Sequence, residues 1–207
     1  EKIGALCYKY GVTVLSDEIH CDIVKPGSNY IPFASVNDLN KEISITCVAP
    51  TKTFNLAGLQ TSCVIVPNEF LRHKVWRGIN TDEVGEGNAF SIDPVIAAYT
   101  KCDYWVDAVN EYIEENIELV NDILSDVPQI KIYDCQGTYL MWLDMRNLGM
   151  NDEELDSFLQ SECNIIQDPG FWFGENGKGF TRLNVACPRS ILEKSINTLK
   201  EKILNRV

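Results

Sequence analysis

The sequence predicts an α/β fold in which part of a mixed, mostly parallel sheet is followed by a smaller α+β domain. Three observations carry that prediction. Val12 to Leu15, Ile43 to Cys47 and Ser62 to Val66 are short apolar runs rich in β-branched residues, each followed by a polar loop, the pattern of strands buried on both faces of a parallel or mixed sheet. A long stretch of helical periodicity runs from about Ser91 to about Asp126. After Pro128 the pattern changes to short strands and capped helices. The 207 residues therefore divide into a sheet-bearing segment at 1–90, a connecting helical segment at 91–127 and a small C-terminal domain at 128–207.

Each element has its own signal. The chain opens inside an amphipathic helix with Ile3, Leu6, Cys7 and Tyr10 on one face and no capping residue ahead of them. The first two strands run into Ser16-Asp17-Glu18-Ile19-His20-Cys21-Asp22 and Ala49-Pro50-Thr51-Lys52-Thr53-Phe54-Asn55, and Asn55 suits the turn after Lys52. Residues 79–89 are polar and glycine-rich and predict an irregular loop. The helical stretch, broken near Asp103, places Tyr99, Trp105, Val109, Tyr112, Ile113, Ile117 and Val120 on its apolar face. Beyond Pro128, Gln129 to Tyr133 and Thr138 to Asp144 predict two antiparallel strands joined around Cys135-Gln136-Gly137. Asn151 with Glu154, and Ser190 with Glu193, have capping-box spacing for two helices. Between those helices lie the loop Asp168-Pro169-Gly170-Phe171-Trp172-Phe173-Gly174 and a strand from Phe180 to Ala186.

Composition narrows the functional classes. A net charge of -12 without a basic cluster argues against nucleic acid as a partner. No apolar run reaches the roughly 18 to 20 residues that cross a bilayer, so no membrane partner is expected and the composition suits a cytoplasmic protein. The eight cysteines form no Cys-x-x-Cys pair and only His20 and His73 offer imidazoles, which leaves no support for a metal site. Buried, reduced thiols are the expectation.

In open α/β sheets the ligand sits off the strand ends, so Asp17 after the first strand and Lys52 after the second are placed to converge on one crevice. Taken singly, such an aspartate is a turn or cap residue and such a lysine a solvated charge. Taken together, a lysine amine that can form a Schiff base and an aspartate that can keep a pyridine nitrogen protonated are what a pyridoxal phosphate enzyme needs.

With the late run Gly179-Phe180-Thr181-Arg182-Leu183-Asn184-Val185-Ala186-Cys187-Pro188-Arg189-Ser190, these segments stand in an order that resembles the fold-type I pyridoxal phosphate enzymes of the class I and II aminotransferase superfamily, and within it the MalY/PatB-like cystathionine β-lyases. The resemblance covers nearly the whole chain. It implies that residues 1–90 belong to the large, cofactor-binding domain. Lys52 would be the Schiff-base lysine and the base for the substrate α-proton, and Asp17 would pair with the pyridinium nitrogen. His20 is a further cofactor-contact candidate, with loop capping or pairing to Asp22 as its alternative, and Thr51 is a candidate for the cofactor phosphate. Arg182 would grip the substrate carboxylate, with Arg189 as a competitor better suited to a structural role. Family members are longer, and what they carry ahead of the position of Glu1 includes the glycine loop for the phosphate and the ring-stacking aromatic. The resemblance therefore implies a C-terminal fragment of a homodimeric enzyme, inactive alone and holding pyridoxal 5'-phosphate weakly or not at all.

Many aminotransferases place a serine three residues before the lysine and an arginine eight after it, where this chain has Ala49 and Gln60. The missing arginine is shared with the lyases. It favours β-elimination from L-cystathionine or related cysteine conjugates, giving pyruvate, ammonia and a thiol. Transamination of an amino-acid substrate is the alternative, and a non-catalytic regulatory or partner-binding protein on the same fold is the third.

Overall fold

The structure, a computed structural model, describes residues 1–206 and falls into two compact units, residues 1–108 and the remainder from Val109. In the first unit the order is α1 (Lys2–Lys9), β1 (Val14–Asp17), α2 (Asp38–Glu42), β2 (Ser44–Val48), α3 (Pro50–Thr53), β3 (Cys63–Ile65), α4 (Glu69–Thr81) and α5 (Ile92–Lys101). The unit boundary lies within α6 (Asp103–Leu124). The sheet is mixed: β1 runs parallel to β2, pairing Val14 with Ser44 and Asp17 with Cys47, and β3 returns antiparallel to β2, pairing Val48 with Cys63. Because β1 and β2 are parallel, their C-terminal ends share one edge.

One expectation fails in this unit. The strands are not buried on both faces, since Leu15 is 66% and Ile65 51% exposed. Ile3 and Leu6 of α1, and Tyr10 just after it, are also exposed. That helix instead turns Gly4 onto α2, where an added Cβ would stand 2.0 Å from Asn40 Oδ1. Apolar sequence reports a surface that favours burial without saying which neighbour supplies it. Helix α4, absent from the reading above, starts at Asn68, whose Oδ1 accepts from the Leu71 amide at 2.8 Å. It takes in residues 79–81 of the expected loop. The break between α5 and α6 falls at Cys102, next to the expected Asp103.

The second unit contains a four-stranded antiparallel sheet of order β4-β5-β7-β6, formed by β4 (Lys131–Ile132), β5 (Leu140–Asp144), β6 (Asp168–Pro169) and β7 (Phe180–Asn184), with α7 (Asp152–Ser157) and α8 (Arg189–Leu204). Met141 opposite Leu183 and Leu143 opposite Thr181 form one buried face. Ile113, Ile117, Val120 and Leu124 of α6 and Leu192, Ile196, Leu199 and Ile203 of α8 are buried at helical spacing. The Asn151–Glu154 capping box forms with both of its hydrogen bonds. The box at Ser190 does not. Pro188 takes the N-cap position and its carbonyl accepts from the Ile191 and Leu192 amides at 2.9 and 3.1 Å, so α8 begins before Ser190 can cap it. Of the eight thiols only Cys163 is buried, Cys63 is exposed and the rest are half-buried; Cys21, Cys102, Cys135 and Cys187 lie in connecting segments rather than in strands or helices.

At the end of β5 the Asp144 carboxylate accepts from Arg146 Nε at 2.9 Å and Nη2 at 2.7 Å. These hydrogen bonds hold its pKa below the usual carboxylate value. A depressed folded-state pKa contributes stability that is present above the unfolded value and is lost as pH falls through the folded one. Asp144→Asn should therefore cost about 1 kcal/mol at neutral pH, discounted for the exposed arginine. In urea denaturation at stepped pH, the gap to the parent chain should close in acid.

Candidate active site

Lys52 is set by what precedes it. β2 ends at Val48, Ala49 occupies the N-cap, and Pro50 at the first helical position begins the single turn of α3, the position where a fixed φ and a missing N–H cost nothing. Asn55 at φ 54 closes that turn in the left-handed region, which asparagine tolerates better than most residues. Thr51 is buried and its carbonyl accepts from the Leu56 amide at 2.9 Å, whereas Lys52 is exposed. Among the described residues the Lys52 amine has no hydrogen-bond or ion-pair partner.

Asp17 closes β1 and is likewise exposed; its Oδ1 accepts from the Ile19 amide at 3.2 Å. His20 lies half-buried in the turn that follows, its carbonyl accepting from the Ile23 amide at 3.0 Å. The parallel register thus brings Asp17, His20, Thr51 and Lys52 to the same edge of one sheet. A carboxylate and an amine at adjacent strand ends form a donor and acceptor set that suits a ligand with an aldehyde and a basic ring nitrogen.

Sequence reasoning missed the residues that hold these loops. Glu18 is 4% exposed, and its Oε1 accepts from Ser16 Oγ at 2.9 Å and the Phe33 amide at 3.1 Å. Burial, together with that carboxylate, raises the Tyr30 pKa. Burial and the neighbouring Asp22 and Glu18 charges push the Cys21 thiol up to about 11, so it stays protonated at neutral pH. Thr53 Oγ1 donates to Asp22 Oδ2 at 2.9 Å, and Trp105 Nε1 donates to the Thr53 carbonyl at 2.8 Å. The available signal was a charged residue placed between Cys21 and Ile23, which favours a buried partner.

Arg182 belongs to the second unit, on β7 opposite Trp142 and Asp168. Its Nε and Nη2 both donate to Asp168 Oδ2, at 3.1 and 2.7 Å, and its guanidinium lies 4.8 Å from the Phe173 ring centroid. That pairing orients the planar group from one edge. Arg189 is held differently: its Nε donates to Asn116 Oδ1 at 3.1 Å, its Nη2 pairs with Glu115, and its guanidinium stacks over Tyr112. Asn116, fully buried, also donates to the Val185 carbonyl at 2.8 Å. Arg189 is thus tied into the junction of α6 and α8. Asn116→Ala should destabilise the chain by about 2 to 3 kcal/mol, because a buried carbonyl and a guanidinium lose their partner together; chemical denaturation measures it.

Comparison with known proteins decides the family. The profile of "Aminotransferase class I and II" matches residues 1–199. This chain belongs to that family. Among class I and II relatives, the cystathionine beta-lyase PatB of Bacillus subtilis is 40% identical over 200 residues, covering 96% of this chain and 52% of PatB. The structure of cystalysin from Treponema denticola, which contains a pyridoxal 5'-phosphate cofactor, matches with a TM-score of 0.88 at 33% identity, over 99% of this chain and 52% of that one. A pyridoxal phosphate-bound C-S lyase from Staphylococcus hominis matches with a TM-score of 0.87 at 30% identity, over 99% of this chain and 53% of that one. The chain spans about half the length of the curated relatives it matches.

Proposed function

We propose that this chain forms part of a pyridoxal phosphate-dependent carbon–sulfur β-lyase acting on L-cystathionine or related cysteine conjugates. The observation that carries the reading is the placement of Lys52 and Asp17 at the shared C-terminal edge of the parallel pair β1–β2. The cofactor, when bound, supplies an aldehyde for a lysine amine and a ring that accepts the electrons released at the substrate Cα. Lys52 Nζ takes the Cα proton. Asp17 holds a proton on the ring nitrogen through a charge-assisted hydrogen bond. Thr51 and His20 flank the same edge as phosphate and ring contacts. Arg182, paired with Asp168 in the second unit, keeps the role of carboxylate ligand that the resemblance implies for it.

Cleavage of the Cβ–S bond, with uptake of water, yields a thiol, pyruvate and ammonia. The lyase reading draws support from the named lyases above and from Ala49 and Gln60, which depart from the common aminotransferase pattern. Transamination stays the second reading because the family profile itself is that of aminotransferases. Homodimeric assembly and a cytoplasmic location complete the proposal. The test is L-cystathionine with a thiol reagent, with and without a keto acid, applied to this chain and to a longer protein containing it. Thiol release without a keto acid supports the lyase; amino transfer without thiol release replaces it with the aminotransferase.

A further inference from the structure

We infer that Thr53, Asp22 and Trp105 form a clamp that positions Lys52 against the loop bearing Asp17, an inference that rests on the cofactor reading above. Thr53 is 2% exposed, and its hydroxyl and carbonyl both bond outside their own turn. Its hydroxyl reaches Asp22, in the turn after Asp17 and His20, across thirty-one residues of chain. Its carbonyl is held by Trp105 from the start of α6. Phe54, the next residue, meets Tyr99 of α5 edge-to-face at 5.4 Å between ring centroids.

Lys52 stands immediately before this anchored pair, and its amine has no partner of its own among the described residues. Where the amine can reach is therefore governed by the backbone that Thr53 fixes. The Asp22 hydrogen bond also keeps the lysine turn in register with the aspartate loop, although the two lie on separate strands. A flexible four-carbon side chain on a shifting backbone would spend less time in reacting geometry. Thr53, Asp22 and Trp105 act through Lys52. They are positioning residues.

The test uses a longer protein containing this chain, treated with pyridoxal 5'-phosphate and then borohydride, with peptide mapping of the label on Lys52 relative to the other lysines in the same sample. Thermal melting is recorded alongside. Thr53→Val and Asp22→Ala should each lower the Lys52 share about tenfold, the order expected for losing a hydrogen bond to a charged group. Thr53→Ser, which keeps the hydroxyl, should retain it. If Thr53→Val fails to fold, the comparison of Asp22→Ala with Thr53→Ser decides alone. Equal Lys52 labelling in parent and variants overturns the clamp and leaves the cofactor reading standing. A loss spread evenly over all lysines, with a lowered melting temperature, overturns it in favour of a purely structural role. Absence of Lys52 label in the parent protein overturns the cofactor reading and the clamp with it.

Discussion

Lys52→Ala is expected to abolish covalent cofactor attachment and to lower thiol release from L-cystathionine by about 10³-fold or more, since general base catalysis alone contributes about 10² to 10⁴. The size follows from the two tasks assigned to a single nitrogen: Nζ joins the cofactor aldehyde and takes the substrate α-proton, and no other side chain described at this edge carries an amine. Stability should change by no more than about 0.5 kcal/mol, because Lys52 is exposed and has no ion pair among the described residues. Lys52→Arg separates charge from chemistry. A guanidinium keeps the positive charge but is neither an effective nucleophile nor a base at neutral pH, so it should be as inactive as alanine. The readouts are steady-state thiol release in the longer protein and unchanged melting of both variants. Recovery of activity by arginine would mean that Lys52 contributes only charge.

Asp17→Asn should cost about 10² to 10³ in kcat, the range seen when one oriented electrostatic partner of a reacting group is removed. The amide keeps an oxygen for the Ile19 N–H, so the turn that Asp17 Oδ1 now closes at 3.2 Å survives. What is lost is the negative charge proposed to hold a proton on the ring nitrogen. The substitution thus distinguishes the two roles of this residue: a turn residue would tolerate asparagine, whereas a cofactor partner would not. Kinetics and far-ultraviolet circular dichroism on the same preparation answer the question. Full activity for Asp17→Asn, with loss of fold only for Asp17→Ala, would reduce Asp17 to the turn.

The strand-end positions of Asp17 and Lys52 were legible because the strands before them announce themselves by β-branched runs, and a parallel pair necessarily brings its two C-terminal ends together. The Asn151 box was readable for a similar reason, since both of its hydrogen bonds are local. Long-range partners were not readable. Nothing in local spacing joins Asp22 to Thr53 or Trp105 to the Thr53 carbonyl, and nothing near Arg182 points to Asp168, which reaches it across β6 and β7. Ser190 with Glu193 satisfied the capping pattern yet lost to Pro188, because a helix can begin only where the chain enters it, and the carbonyl of Pro188 already receives the first N–H groups. The exposed face of α1 and the open strands β1 and β3 mark the limit of hydrophobic patterning: it identifies surface that favours burial, and only the surrounding chain decides whether burial occurs.

The measurement that bears most directly on the central claim is peptide mapping of a longer protein containing this chain after treatment with pyridoxal 5'-phosphate and borohydride. The predicted result is a phosphopyridoxyl group on the peptide containing Lys52, in clear excess over every other lysine and lost in Lys52→Ala. Label distributed over surface lysines in proportion to their exposure, with Lys52 undistinguished, would contradict it.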